Sequence, residues 1–572
     1  MAALSPPPRS AERRVSIAGL VLLALALAAT IRLGRVTARA VADEKPRPDA
    51  LEYEEAARGI LRGDGYALRI DGRRYPPRYP PALSWLVAGA MAATGTTEPG
   101  AGAPVVLGSA LLSVVAAFLL GNRAGGTGCA AIAALVVALS PLHVRWSRAI
   151  MADVPSTAAC ALVGAWCLAR AGRRVGAMGD LALGVATGLL SLLRLANLAL
   201  VLPVLVLAAT AAPPPPSRPG ERFARVLRTA GGIALGVSPL AAHQAARFGS
   251  PWRTGYDLWH GVAFSTGFAT RPGFGAAGPD ANPVFYAKAL AGAGSLYPWP
   301  IAILVAIGIL SALRSGGPAR RLAGFAALLA TALGMLYVPF FWQWDRFLLP
   351  LLPFLAALAG FGARTLAAWF GRAIPAALLL CGLTLVAHSP SAWRPIEDTS
   401  TESEWLHAID AALPSDAVVL LRTDPFHFRE LLRGGRDAWS AADPGRVWVP
   451  IGPSAHRFEL ALWKIAPLDE PPGTGEGGRG VPPAGDGIWT RDLLPIGLDA
   501  DASRRAIADL LAEARPVYVA TSPRDFEVPE VKPFGEMIRT AFLLEEVTSL
   551  GGNWRLWRVA GPRQATRAEA RR

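Results

Sequence analysis

Two aspartates and three arginines beside apolar segments are the residues best suited to chemistry in this sequence. Asp49 stands near the start of PDALEYEEAARGILRG, and Asp153 directly precedes a long apolar run. Arg346 lies in QWDRFLLPLLP, and Arg148 and Arg194 also stand next to apolar runs. A carboxylate can accept a proton from a hydroxyl group, and the planar guanidinium fork suits a phosphate. These residue types predict acid–base and anion-binding chemistry.

Each of these residues also has a structural alternative. Asp49 can cap its helix, with Glu52 three residues later closing a capping box, and Asp153 can cap the helix that follows it. The arginines can anchor the edge of a membrane by extending their charge toward water. Spacing alone favours the cap for Asp49 and is neutral for Asp153, so both roles stay open.

The segment around Asp49 predicts the elements that position it. Positions 49, 53, 56 and 60 share one helix face, which is expected to pack against a membrane domain, whereas Glu54, Glu55 and Arg58 are expected to face water. RYPPRYPPAL predicts a stiff extended segment, because its paired prolines restrict the backbone and remove donors. The apolar stretch that follows, 82–93, is too short to cross a bilayer and predicts a helix at the interface.

The composition is that of a membrane protein. Hydrophobic residues make up 52% of the 572 positions and charged residues 17%, and the apolar residues form runs of about the length that crosses a bilayer. The net charge of +14 comes mainly from arginines in short loops, as the positive-inside rule describes, which argues against nucleic-acid binding. The cysteines lack metal-ligand spacing and predict neither a metal site nor a disulfide framework.

Hydropathy and arginine placement together predict about eleven spans, with an uncleaved first span and a basic N-terminus inside. If 82–93 also crossed, every later basic loop would lie outside, so it is not counted. The first outer loop is then about 32–103, and Asp153, Arg194 and Arg346 lie on the outer side. The predicted spans are 15–31, 104–120, 124–144, 154–169, 181–193, 195–212, 229–246, 292–313, 322–341, 347–361 and 374–387.

The chain divides into a transmembrane domain, 1–388, and an outward-facing α/β domain, 389–572. In the second domain the pattern predicts an amphipathic helix over 402–413 and buried strands over 417–421 and 516–520. The Gly- and Pro-rich stretch 467–487 predicts a loop or lid. This domain carries no chemical motif.

Several segments resemble one family. The first outer loop contains a spaced pattern of an acid, tyrosines, apolar residues and glycine: Asp49, Tyr53, Ala57, Ile60, Gly63 and Tyr66. This pattern resembles the first periplasmic loop of GT-C superfamily glycosyltransferases. YPPRYPPAL, SRAIMADVP, RFGSPWRTGY and RFLLPLLP resemble further segments of bacterial glycosyltransferase family 39, which includes protein mannosyltransferases and aminoarabinose transferases that modify lipid A. The resemblance covers about residues 15–390.

The resemblance implies a polytopic α-helical GT-C-like fold and a glycosyltransferase in the bacterial inner membrane. Its partners would be a polyprenyl-phosphate-linked sugar and a lipid, protein or polysaccharide acceptor with a hydroxyl group on the outer face. The family's first-loop acid falls on Asp49 and would act as the base. Its second-loop acid falls on Asp153, which would bind the sugar or orient the acceptor, and its donor-phosphate arginine falls on Arg346. Arg148 and Arg194 are the further candidates for binding the donor phosphate.

Glu52, Tyr53 and Tyr79 are candidates for contacts to the sugar or the acceptor. Many relatives have adjacent Asp and Glu in the first loop, whereas Ala50 follows Asp49 here, which leaves the role of Glu52 open. No cofactor is required by this chemistry, although Asp49 and Asp153 together could hold a divalent cation. No nucleotide-sugar domain or phosphate-binding glycine loop is evident, as expected for a lipid-linked donor.

Two alternatives come from other classes. A transporter or flippase of a lipid-linked glycan is expected to show repeated halves and broken helices at the membrane midplane. This sequence has no evident repeat, and its polar features gather on the predicted outer side. A catalytically inactive receptor for a wall polymer is the other alternative, and the presence of Asp49 argues against it. Release of free polyprenyl phosphate from a labelled donor separates the enzyme from both.

Overall fold

In the computed structural model the chain is a mainly helical protein. The structure describes residues 17–43, 48–70, 73–97, 100–171, 173, 176–210, 220–256, 282–294, 296–340, 344–388, 412–414, 416–421, 447–451, 468, 500–521, 532–549 and 555–563. Two hydrophobic cores lie within these ranges, one in the helical part and one in the C-terminal part.

The helical part carries a small unit between its first and second long helices. Its long helices are α1 (Ile17–Asp43), α4 (Ala103–Gly125), α5 (Thr127–Ala138), α7 (Asp153–Arg170), α8 (Ala177–Leu189), α9 (Val201–Thr210), α10 (Glu221–Phe248), α12 (Trp299–Ser315), α13 (Gly317–Tyr337), α14 (Leu352–Phe370) and α15 (Ala373–Ala387). The inserted unit comprises α2 (Pro48–Arg62), the hairpin of β1 (Leu68–Ile70) and β2 (Arg73–Tyr75), and α3 (Ala82–Thr94). Short helices α6 (Pro141–Trp146) and α11 (Asn282–Lys288) and 3-10 segments at 190–192, 195–200 and 345–351 join the long helices.

A helix lies at each of the eleven predicted spans. Among the described residues, three continuous helices are long and apolar enough to cross a membrane alone: Ala103–Gly125, Gly317–Tyr337 and Asp345–Phe370. The shorter apolar helices include α3, which has 13 residues, so its expected place at the interface agrees with its length. The number of complete crossings stays a prediction.

Several predicted boundaries differ from the structure, two of them in ways that have a clear physical reason or extent. Helix α1 continues past the predicted end of the first span, from residue 31 to Asp43. The predicted span 124–144 is divided into α5 and α6, because Pro141 has no N–H to donate and Ser140 caps the new helix. The Ser140 hydroxyl oxygen accepts a hydrogen bond of 3.3 Å from the backbone N–H of His143.

Helices α8 and α10 approach each other through glycines. A Cβ atom at Gly188 would lie 2.3 Å from the carbonyl oxygen of Ile233, and one at Gly184 would lie 2.2 Å from that of Thr229. Gly232 and Gly236 on α10 meet the backbone of α8 at similar distances. Small residues spaced four apart allow the backbones of membrane helices to pack closely.

The two ends of α7 carry different groups of charged residues. Asp153, at its start, lies beside Arg194 and Arg346. At its other end, Arg321 donates a hydrogen bond of 2.6 Å to the carbonyl oxygen of Ala171, the residue that follows α7. The residues predicted on the outer side therefore gather at one end of the bundle, and arginines predicted on the inner side gather at the other.

The described residues of the C-terminal part form a five-stranded mixed sheet, in the order β4-β3-β5-β7-β6. Its elements are β3 (Val418–Leu421), β4 (Val447–Pro450), α16 (Ala500–Ala512), β5 (Val517–Thr521), α17 (Lys532–Ala541), β6 (Phe542–Ser549) and β7 (Arg555–Pro562). Strand β3 is parallel to β4 and β5, and β7 is antiparallel to β5 and β6. The two predicted strands are confirmed, whereas the predicted helix 402–413 and loop 467–487 lie mostly outside the described residues.

Candidate functional site

Asp49 lies in the first turn of α2, where its carboxylate faces two arginines. One carboxylate oxygen is 4.0 Å from Nη2 of Arg346, and the other is 3.8 Å from Nη2 of Arg78. Both distances allow attraction but exceed the 2.7–3.2 Å of an ordinary N–H···O hydrogen bond. The Asp49 side chain is 25% exposed, so it is reachable from outside and loosely held.

Asp153 is the first residue of α7, and its carboxylate is buried between two arginines. It accepts a short hydrogen bond from Nη1 of Arg194, and its second oxygen is 3.7 Å from Nη1 of Arg346. The residue at the cap position of α7 is Ala152, and no side chain caps this helix end. Asp153 is therefore a buried ion-pair partner rather than a helix cap, and its functional role stays a prediction.

Arg346 joins the two aspartates and lies in the 3-10 segment Asp345–Leu351 before α14. Its guanidinium carbon is 4.7 Å from the ring centroid of Trp146 and 4.8 Å from that of Trp344, a cation–π arrangement. The side chain is buried, and its Nε has no hydrogen-bond partner within the described parts of the chain. Since its ion-pair distances are long, the guanidinium keeps donors for another anion.

Arg194 lies where the chain passes between two 3-10 segments, at the turn that the sequence predicted. Extended backbone at this residue (φ −161°, ψ 131°) directs the chain into the segment that begins at Leu195. The guanidinium is also 5.2 Å from the ring centroid of Phe347, so the residue after Arg346 packs against it. Arg194 and Arg346 thus hold Asp153 from two separate parts of the chain.

Arg78 is a site residue that the sequence reasoning missed. It lies in the proline-rich segment before α3, and its backbone N–H and Nε each donate a hydrogen bond of 2.5 Å to the Glu52 carboxylate. Both oxygens of Glu52 are therefore engaged by Arg78, and Glu52 does not act as the reciprocating member of a capping box. The repeat RYPPRYPP contained the signal, because it places an arginine directly before Tyr79.

Tyrosines form an aromatic group beside Asp49. The rings of Tyr53 and Tyr79 stack with centroids 4.6 Å apart, and Tyr256 meets Tyr79 edge-on at 5.4 Å. The Tyr66 hydroxyl donates a hydrogen bond of 2.7 Å to the Tyr79 carbonyl oxygen and so holds the proline-rich segment against α2. Tyr53 and Tyr79 were expected at the site, whereas Tyr256 was noted only as part of the segment RFGSPWRTGY.

Burial changes the ionisation of this unit. It raises the pKa of the Glu52 carboxyl above its ordinary value of 4.5, although the neighbouring Arg78 acts in the opposite direction. Burial also raises the pKa of the Tyr53 and Tyr79 hydroxyls well above 10. These phenols stay neutral at physiological pH, so they offer hydroxyl groups and ring faces rather than charge.

The prediction that Glu54, Glu55 and Arg58 face water is wrong. All three are buried, since the chain between α3 and α4 covers this side of α2. One oxygen of Glu54 accepts hydrogen bonds from the backbone N–H groups of Gly100 at 2.9 Å and Gly102 at 3.2 Å. Arg58 donates to Glu55 at 3.1 Å, and also to a backbone carbonyl oxygen of the covering segment. Hydrogen bonding and pairing offset the cost of burying these polar groups.

The remaining predicted features are less closely tied to the site. Arg148 is buried in the turn between α6 and α7, and its role stays a prediction. The described residues bring together no group of three or more His, Cys, Asp or Glu side chains that could hold a metal ion. A divalent cation held by Asp49 and Asp153 therefore stays an expectation. The backbone N–H of Leu468 donates to the Arg74 carbonyl oxygen at 2.7 Å, which joins the C-terminal part to the hairpin of the first loop.

The arrangement can combine two kinds of chemistry. Asp49 is partly exposed and loosely paired, so it can receive a proton from a hydroxyl group placed beside it. Arg346 is buried, has an Nε without a partner among the described residues, and faces the same carboxylate. A guanidinium in such surroundings binds an oxyanion more strongly than it would in water.

A protein-family model matches part of this region. Residues 78–230 match the model of dolichyl-phosphate-mannose-protein mannosyltransferase. The matched segment is less than half of the chain and includes Arg78, Asp153 and Arg194. Among curated proteins, none matches the chain significantly in sequence.

Solved structures are similar to the chain over nearly its whole length. ArnT from Cupriavidus metallidurans in the apo state is 15% identical, with 95% of this chain and 98% of that chain covered and a TM-score of 0.54. ArnT bound to undecaprenyl phosphate is 16% identical, with coverages of 96% and 100% and a TM-score of 0.56. AglB from Archaeoglobus fulgidus, in complex with an inhibitory peptide and a dolichol-phosphate, is 12% identical, with coverages of 94% and 74% and a TM-score of 0.47.

The match to the mannosyltransferase model and the fold shared with ArnT agree with the resemblance described from the sequence. The chain is a membrane protein with the fold of ArnT, and its central segment matches the protein mannosyltransferase model. At 15–16% identity the likeness to ArnT concerns the fold. The reaction and its substrates are argued below from the residues of this chain.

Proposed function

We propose that this protein is a membrane glycosyltransferase that moves a sugar from a polyprenyl-phosphate-linked donor to an acceptor hydroxyl group. The observation that carries the proposal is the position of Arg346, which faces the partly exposed Asp49 at 4.0 Å and the buried Asp153 at 3.7 Å. These residues come from three distant parts of the chain. A base beside a phosphate-binding cation is what this transfer requires. The fold supports the proposal, since ArnT with the same fold has been observed bound to undecaprenyl phosphate.

In the proposed reaction, the acceptor oxygen forms a bond to C1 of the sugar while the bond from C1 to the phosphate oxygen breaks. The acceptor proton passes to Asp49, and the electrons of the broken bond stay on the departing polyprenyl phosphate. Arg346 stabilises the negative charge that builds on this phosphate, with Arg148 as a further candidate. Proton transfer to a positioned carboxylate contributes about 10²–10⁴-fold to such a rate.

The two aspartates take different roles because their surroundings differ. Asp49 is 25% exposed and makes two long ion pairs, whereas the side chain of Asp153 is 4% exposed and bonds directly to Arg194. Asp153 is therefore assigned to holding Arg194 and Arg346 in place, and Asp49 to receiving the proton. Glu52 has the same kind of positioning role toward Arg78.

The tyrosine group is assigned to the sugar. Tyr79 is stacked on the buried Tyr53 and contacts Tyr256 at its edge, so the half-buried rings of Tyr79 and Tyr256 present rigid surface close to Asp49 and Tyr53 supports them from behind. Sugar rings expose C–H faces that pack on aromatic rings, and neutral phenol hydroxyls can hydrogen-bond to sugar hydroxyls. This assignment keeps Tyr53 and Tyr79 as contacts and adds Tyr256.

The proposed location is the bacterial inner membrane, with the site on its outer face. The arginine pattern supports this orientation, because basic loops stay on the cytoplasmic side. The C-terminal part follows the last predicted span, and its contact through Leu468 with the hairpin of the first loop supports a position near the site. Selection of the acceptor is the role proposed for it.

Release of the carrier tests the function. Purified protein in lipid vesicles is given polyprenyl phosphate charged with a labelled sugar, together with a bacterial envelope extract as the source of acceptor. We expect free polyprenyl phosphate and labelled acceptor to appear together, and to depend on Asp49. Movement of the intact donor between leaflets without cleavage would instead show a flippase.

A further inference from the structure

A second cluster of charged residues lies at the other end of α7 from the candidate site. Asp180, in the first turn of α8, faces three arginines: Arg170 at 3.3 Å, Arg228 at 3.0 Å and Arg225 at 3.9 Å. The side chains of Asp180 and Arg225 are 5% and 8% exposed, and that of Arg228 is 32% exposed. Three guanidinium groups thus share one carboxylate in partly buried surroundings.

This cluster is far from the candidate site. Helix α7 has 18 residues, with Asp153 at its start and Arg170 at its end. At 1.5 Å per residue, these two positions are about 26 Å apart along the helix axis. That distance is close to the thickness of the hydrocarbon core of a bilayer, about 30 Å. The two clusters therefore lie near opposite faces of the membrane.

The positive charge of the cluster exceeds its negative charge. Nε of Arg170 is buried and has no hydrogen-bond partner in the described ranges of the chain. Nη2 of Arg225 donates a hydrogen bond of 3.4 Å to the backbone carbonyl oxygen of Arg173, so this bond is made to a neutral group. Because burying unbalanced charge is unfavourable, an anion bound here would stabilise the folded protein.

A cleft beside the arginines is lined by both charged and aliphatic side chains. Arg170, Arg225 and Asp180 line its polar part, while Leu183, Val204 and Leu207 line the rest. A site that places guanidinium groups next to aliphatic side chains, at the depth of a lipid headgroup, has the chemistry of a phospholipid. The phosphate matches the arginines, and the first part of an acyl chain matches the aliphatic wall. Basic pockets between helices at the cytoplasmic side are known sites for acidic lipid headgroups.

We propose that the cleft lined by Arg170, Asp180 and Arg225, with Arg228 beside it through its ion pair with Asp180, binds one acidic phospholipid of the inner leaflet. The bound phosphate neutralises the excess charge and ties α7, α8 and α10 together. The proposal stands independently of the proposed transfer reaction, because none of its residues belongs to the candidate site.

Lipid retention by the purified full-length protein tests this proposal. The protein is mixed with phosphatidylglycerol or phosphatidylcholine in detergent, and bound lipid is counted by native mass spectrometry while the thermal midpoint is followed. Phosphatidylglycerol is expected to bind and to raise the midpoint, and phosphatidylcholine is not. Arg225→Gln and Arg228→Gln should each weaken binding roughly tenfold or more, as expected for loss of a charge-assisted hydrogen bond.

Arg222→Gln is the matched control. Arg222 lies on the same helix and is exposed, so this variant makes the same change of net charge outside the cleft and should bind phosphatidylglycerol like the parent. Equal loss in Arg222→Gln, or equal binding of the two lipids, would reject a specific site. A rise of the midpoint with inorganic phosphate as large as with phosphatidylglycerol would show a free-anion site and overturn the lipid assignment. If Arg225→Gln fails to fold, Arg228→Gln decides, since that side chain is one-third exposed.

Discussion

At the residue scale, the candidate site is balanced in charge. Its three arginines, Arg78, Arg194 and Arg346, face three carboxylates, those of Asp49, Glu52 and Asp153. Removing one partner of a buried ion pair leaves the other charge uncompensated, which costs about 3–5 kcal/mol. In the proposed reaction Asp49 becomes neutral as the phosphate becomes more negative, so the site keeps its charge balance throughout the transfer.

Asp49→Asn separates the role as a base from a role in folding. Asparagine is about as good as aspartate at a helix start, so α2 should fold normally. A neutral amide cannot accept the acceptor proton, and turnover should fall by at least about 10²-fold. Carrier release measures the turnover, and membrane yield measures folding. Asp64→Asn is the control, because Asp64 lies in the same loop but is paired with Arg62 and Arg69, and the turnover of this variant should match that of the parent. If the turnover of Asp49→Asn were within about threefold of the parent, the base role would be excluded.

Arg346→Ala tests the phosphate role. Loss of the guanidinium should weaken use of the donor, and Arg346→Lys should restore it only in part, because an ammonium group lacks the planar fork. Steady-state kinetics with varied donor concentration provide the measurement. Arg372→Ala removes an exposed arginine between α14 and α15 and serves as the control. Unchanged kcat and KM in Arg346→Ala, at normal protein abundance, would make this arginine an interface anchor.

The raised pKa of Glu52 gives a prediction about pH. The folded protein holds the Glu52 proton more tightly than the unfolded chain, so the resulting stability is complete below pH 4.5 and is lost as pH rises through the folded-state pKa. Glu52→Gln has no carboxyl group to titrate in this pH range. The advantage of the parent over Glu52→Gln in thermal midpoint should therefore shrink as pH rises from acid toward neutral. An advantage that grows with pH would show that Arg78 outweighs burial and lowers this pKa.

At the element scale, close helix packing brings the site together. Asp153 begins α7, and Arg194 follows the 3-10 segment 190–192 that continues α8. The spacing of α7 and α8 therefore sets the distance between these two charges. The glycines between α8 and α10 allow these two helices to approach closely, which fixes the position of α8 and of the 3-10 segment that leads to Arg194. Substitutions on the glycine-lined faces of α8 and α10 should therefore affect both stability and activity, although these residues are distant from the site in sequence.

Gly188→Ala tests this packing against a matched change on a neighbouring helix. A Cβ atom at Gly188 would meet the Ile233 carbonyl oxygen at 2.3 Å, whereas one at Gly231, on α10, would meet nothing within 4 Å. Overpacking typically costs about 1–3 kcal/mol, while Ala in an open helix position is favoured over Gly by about 1 kcal/mol. Gly188→Ala should lower the thermal midpoint in detergent, and Gly231→Ala should keep or raise it. Equal midpoints for both variants would mean that the helices separate at little cost.

At the scale of the whole molecule, two clusters of charged residues lie at the two ends of α7. The cluster at Asp153, predicted on the outer side, combines carboxylates and arginines in balance, whereas the cluster at Arg170, predicted on the inner side, has an excess of arginines. That difference agrees with the positive-inside rule, which concerns short basic loops at the cytoplasmic side.

Cysteine labelling tests the orientation. The four native cysteines are replaced first, and single cysteines are then introduced at Trp252 or Arg320, both of which are exposed. In intact cells an impermeant thiol reagent should label Trp252→Cys and leave Arg320→Cys unlabelled. Permeabilised cells should label both. The reverse pattern in intact cells would invert the protein and place the candidate site on the cytoplasmic face.

The sequence by itself determined the class of protein, the places of the apolar helices and the two aspartates with Arg194 and Arg346. These features depend on residue type and on composition within a short window. Hydrophobic runs partition into the bilayer whatever their neighbours are. The C-terminal strands at 417–421 and 516–520 were also predictable, since each is a short apolar run in polar surroundings.

Only the tertiary structure decided how these residues meet. It showed that Arg346 faces both aspartates, that Arg78 and Tyr256 belong to the site, and that Asp153 is paired rather than a cap. It also showed that a distant segment covers Glu54, which helical periodicity had assigned to water. These contacts join residues from separate helices and loops. Their energies depend on how the elements pack, and no local window of sequence contains that information.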